Sequence, residues 1–67
     1  MEMTAKQILD EARSEQWKDN MRYSLDDHVQ NICYDLEDDG TIDDSDELIE
    51  EVRELYTKKE REEYESE

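Results

Sequence analysis

A chain of 67 residues with 23 acidic and 8 basic side chains, net charge −15, can build one small domain with a core of marginal size. That charge argues against direct nucleic-acid binding and against anionic membranes, since both need an excess of Lys and Arg. A single cysteine excludes an internal disulfide framework and a cysteine-rich zinc site. No apolar run approaches the roughly 18 residues needed to span a bilayer. The start, Met1-Glu2-Met3-Thr4, lacks the basic and apolar regions of a secretory signal, so a reduced, cytoplasmic setting is expected. Eleven Leu, Ile and Val residues leave little apolar surface to bury, but the absence of Pro, the single Gly and clear helix signals favour a folded, charge-stressed helical domain.

The first predicted helix opens at Thr4, where Thr4-Ala5-Lys6-Gln7 has the form of a capping box. Ala5, Ile8, Leu9 and Ala12 recur at helical spacing, and Trp17 extends the stripe less regularly. A break is expected over 20–23. The second helix starts at Ser24, a good N-cap, with Asp26 and Asp27 placed favourably for the helix dipole. Its core stripe is Leu25, Val29, Ile32 and Leu36, flanked by His28 and Cys33. Gly40 suits the left-handed residue just past a helix end, and the short connection after it makes helices two and three near-antiparallel neighbours.

The third helix begins between Asp43 and Ser45, with Leu48, Val52 and Leu55 as its apolar stripe, widened by Ile49 and Tyr56. Residues 58–67 are a mixed-charge helical extension or tail. The expected architecture is therefore all-α: a small three-helix bundle over residues 1–57, with dimerisation open as a source of extra stability. Among the aromatics, Trp17 and Tyr56 suit the core, whereas Tyr23, Tyr34 and Tyr64 could anchor a partner.

Nearly all the net charge is concentrated in one segment. Residues 26–54 hold thirteen acids against one base, Arg53. On the third helix Glu47, Glu50, Glu51 and Glu54 lie at i, i+3, i+4 and i+7, opposite the apolar stripe. Their like-charge i,i+4 pairs each oppose the helix by about 0.2–0.5 kcal/mol. Asp35, Glu37, Asp38 and Asp39 crowd the negative pole of helix two. Stability alone does not account for such a surface, and binding something positive does. If helices two and three lie side by side over roughly 20 Å, the carboxylates fall about 1.6 Å apart along the axis, close to the ~1.7 Å charge spacing of duplex DNA.

In size and composition the chain resembles the small acidic DNA-mimic inhibitors of phages and mobile elements, the anti-restriction and anti-CRISPR type. The resemblance lies in Asp35–Glu54 and the acidic ending 62–67. It implies a function as inhibitor or modulator of a basic nucleic-acid-binding protein. The contacting residues expected on the charge pattern are Asp35, Glu37, Asp38, Asp39, Asp43, Asp44, Glu47, Glu50, Glu51 and Glu54. The alternative is a helical adaptor or homodimerisation module that recognises its partner through apolar or aromatic surface.

Two further chemistries have partial signals in the chain. Residues 35–46 resemble an EF-hand calcium loop, with Asp35, Glu37, Asp39, Asp43 and Asp46 at loop positions 1, 3, 5, 9 and 12 and Gly40 at 6. Asp46 stands where the bidentate Glu belongs, Glu47 follows one place late, and no second loop is present. This leaves calcium a minor alternative, and no cofactor is expected. Ser24, Asp27 and His28 contain the atoms of a triad but share one helical turn, and His28 and Cys33 do not share a face well. No catalytic residues, and no enzymatic activity, are expected.

Overall fold

The computed structural model describes residues 3–66. They form four helices, α1 (Ala5–Lys18), α2 (Leu25–Asp38), α3 (Ser45–Glu54) and α4 (Lys58–Ser66), with no strand among the described residues. The body measures 30 × 23 × 18 Å. The all-α expectation holds, but the three-helix bundle becomes four helices. The physical reason is a second capping box. Glu60 N donates to Thr57 Oγ1 at 3.2 Å and Thr57 N donates to Glu60 Oε1 at 2.9 Å, so Thr57-Lys58-Lys59-Glu60 nucleates a helix of its own. No helix among the described residues is long and apolar enough to cross a membrane.

The other caps form where their residue types require. Thr4 and Gln7 exchange the two hydrogen bonds of a capping box at the start of α1. Ser24 Oγ accepts from Asp27 N, and Asp44 Oδ1 from Glu47 N. Past α2, Gly40 sits at φ 78° while its N–H donates to Glu37 O and Thr41 N donates to Leu36 O, the two bonds of a Schellman motif. The end of α1 closes the same way without glycine. Asn20 N donates to Trp17 O and Met21 N to Gln16 O, with Asn20 at φ 55° and Met21 at φ 58°.

The core draws Ile8, Leu9 and Ala12 from α1, Leu25, Val29 and Cys33 from α2, and Ile49 and Val52 from α3, closed by Tyr56. On α2 the buried line is 25, 29 and 33, with Ile32 and Leu36 only partly covered. Cys33 therefore moves from the flank of the stripe to its centre, because α2 is the middle helix, packed by α1, α3 and α4. Burial pushes the Cys33 thiol up to about 11, so it behaves as a small apolar residue.

Two expected placements are overturned. Trp17 is 77% exposed, because position 17 is rotated about 140° from Ala12 around the helix and leaves the stripe. Leu55 is exposed as well: α3 ends at Glu54, Leu55 becomes its C-cap, and Tyr56 turns inward instead. Tyr64, one of three tyrosines that could anchor a partner, is partly buried: it packs edge-on against Tyr56 and beneath the Arg53 guanidinium, 4.5 Å from the ring centroid.

Candidate functional site

All ten carboxylates expected to contact a partner are exposed. Asp35, Glu37 and Asp38 occupy the last turn of α2, Asp39 is its C-cap, Asp43 lies in the connection and Asp44 caps α3. Glu47, Glu50, Glu51 and Glu54 follow along α3. The packing of α2 on α3 joins the two acidic stretches at one corner. There Glu37 Oε2 accepts from Ser45 N at 2.9 Å, tying the end of α2 to the start of α3. Hydrogen bonds from Ser45 hold the Glu37 carboxyl below the usual range.

Asp43, Asp44, Glu47 and Glu51 surround a shallow depression of about 280 Å³ whose apolar part is Ile42 and Leu48. A lysine or arginine stem can lie on such a floor while its charged head meets the carboxylates. The EF-hand-like segment has a different form from a calcium loop, because Asp35 and Glu37 are helical and Glu37 is engaged with Ser45. No group of three or more His, Cys, Asp or Glu among the described residues is arranged to hold a metal ion.

One acid in the segment is not on the surface. Asp26, in the first turn of α2 where the helix dipole favours an acid, is buried at 5% exposure. Arg53 grips it with a two-pronged contact, Nε to Oδ1 and Nη2 to Oδ2, both at 2.9 Å. Tyr56 Oη donates to Oδ1 at 2.7 Å and Gln30 Nε2 to Oδ2 at 2.6 Å. Burial pushes the Asp26 carboxyl up, but these hydrogen bonds and the Arg53 charge outweigh it and hold it below the ordinary range. Burial and the neighbouring Asp26 push the Tyr56 phenol up, keeping it protonated as a donor.

This pairing shapes the surface. Arg53, the only base in 26–54, is engaged chiefly with Asp26, and its guanidinium also meets Glu50 at 3.2 Å and the Tyr64 ring. The other twelve acids of the segment are exposed, and of them only Glu50 forms an ion pair with the segment's arginine. Sequence reasoning did not identify this hub. Asp26 and Arg53 are 27 residues apart, and the only available signal was the isolation of one base among thirteen acids.

His28 is buried, with Nε2 3.2 Å from Asp19 Oδ2 but not aligned for a hydrogen bond, and its ring meets Tyr23 edge-on. It lies deeper than the boundary position expected for it; Ser24 O accepts from His28 N as the first helical bond, and the Ser24 hydroxyl accepts from Asp27 N rather than from the imidazole. No family model, curated protein or solved structure matches the chain.

Proposed function

We propose that the chain is an acidic modulator that occupies the basic, nucleic-acid-binding face of another protein. One observation carries this reading: twelve carboxylates of 26–54 face solvent while the segment's only arginine is drawn inward by the thirteenth, Asp26. Committing the one base of the segment chiefly to Asp26 leaves little to neutralise the exposed acids. The resulting field speeds encounter with a positive surface, most strongly at low salt. Asp35, Glu37, Asp38 and Asp39 at the corner, with Asp43, Asp44, Glu47, Glu50, Glu51 and Glu54 beyond, stand in for phosphates. The depression over Ile42 and Leu48 receives the stem of an Arg or Lys.

The test is a pull-down with tagged protein from lysate, washed at low and at high salt and competed with duplex DNA. The expected result is a basic nucleic-acid-binding protein that is released by salt and by DNA. Reversing Glu47, Glu50, Glu51 and Glu54 together to Lys should abolish that capture while circular dichroism shows the helices intact. Retained capture by the folded variant refutes the proposal. A second reading, a helical adaptor, is favoured by the exposed Trp17. It predicts a salt-resistant complex that Trp17→Ala weakens.

A further inference from the structure

The end of the molecule away from the acidic corner is built differently. A groove of about 610 Å³ runs between the α1–α2 turn and α4, with Met21 and Tyr23 at its apolar part and Arg22, Lys59, Glu62 and Glu63 around it. Trp17, on the last turn of α1, follows Gln16, which lines the groove. Trp17, Met21 and Tyr23 are 77%, 65% and 54% exposed. Three large apolar side chains within seven residues is an uncommon display on a chain of mean hydropathy −1.33. The turn that carries Met21 and Tyr23 is held by hydrogen bonds, and the Tyr23 ring is packed. Met21 N donates to Gln16 O, Gln16 Nε2 to Tyr23 O, and the Tyr23 ring packs edge-on against buried His28. Met21 holds a left-handed backbone, unfavourable for its residue type, and its side chain gains little burial in return. Strain of this kind collects at functional surfaces.

Charge identifies the occupant. Residues 15–24 and 58–63, which build this end, hold five bases and five acids, against one base and thirteen acids over 26–54. We propose that the groove joins two copies of this chain about a two-fold axis. An isologous interface must be self-complementary, and this patch offers an apolar centre with two bases and two acids around it. The opposite corner would set carboxylates against carboxylates. Pairing through the neutral end leaves both acidic corners outward, roughly the length of α2 away from the contact. This association stands independently of what the acidic corner binds.

Sedimentation equilibrium from dilute to millimolar protein tests it, at low and at high salt. The expected result is a species of twice 8.1 kDa, unchanged or strengthened by salt, which screens repulsion between the acidic corners. Met21→Asp places like charges at the centre of the contact but suits the left-handed backbone. It should weaken the dimer about a hundredfold or more, with helicity retained. Should that variant lose helicity, Tyr23→Ala carries the same expectation. A monomer at every concentration overturns the proposal. So does a dimer that both variants leave intact, and so do larger assemblies that salt dissolves, which would indicate head-to-tail contact.

Discussion

Asp26 joins several elements of this protein through a single carboxylate. It accepts from Arg53, Tyr56 and Gln30, and Arg53 in turn covers Tyr64, so one carboxylate ties α2, α3, the turn after it and α4. Asp26→Ala leaves a partly buried guanidinium and a buried phenol without their acceptor. It should cost about 3–5 kcal/mol in urea denaturation, comparable with the whole stability of a domain this small. A loss under about 1 kcal/mol would mean that water replaces the carboxylate fully. Gly40 is a purely backbone requirement. A Cβ added there would meet nothing within 4 Å, yet φ is +78°. Gly40→Ala should therefore lower stability by about 1–2 kcal/mol through conformation alone.

At the scale of the element, each helix is stopped and started by local chemistry and held by few contacts. Nine-residue α4 is too short to persist alone. Arg13 Nε and Nη2 reach the two Glu60 oxygens at 2.8 and 2.9 Å, and Arg61 donates to the carbonyls of Arg53 and Glu54. Hydrogen bonding from Arg13, with help from Thr57, holds the Glu60 carboxyl down to about 2. A carboxyl depressed in the folded state contributes stability that is present above the ordinary glutamate range and lost as pH falls towards about 2. Acid titration followed by circular dichroism should show a shallower loss in that window for Glu60→Gln than for the parent chain. Identical profiles would mean that the α1–α4 clasp contributes nothing. Thr57→Ala, which removes one side of the second capping box, should cost about 1 kcal/mol.

Charge is unevenly spread over the molecule: the α2–α3 corner and the outer face of α3 are acidic, whereas the groove by the α1–α2 turn is lined by two bases and two acids. Self-repulsion at −15 opposes compactness. Added sodium chloride should therefore raise the urea midpoint at neutral pH, because screening relieves the exposed acidic cluster more than it weakens the sheltered Asp26–Arg53 pair. A midpoint that falls with salt would show that the ion pairs dominate.

Local chemistry was enough to specify the helix starts at Thr4 and Ser24, the Gly40 stop and the outward placement of all ten acidic contact candidates. Caps, turns and charge repulsion act between residues a few positions apart, so they are written in the order of the chain. The start of α4 was equally legible in Thr57-Lys58-Lys59-Glu60, but the charge of the segment obscured it. What only tertiary structure decided was which residues face one another. Asp26 turned inward because Arg53 and Tyr56, 27 and 30 residues later, arrive beside it. Trp17 and Leu55 turned outward because neither helix presents that direction to a neighbour. Burial and ion pairing depend on neighbours distant in sequence, and helical periodicity carries no information about them.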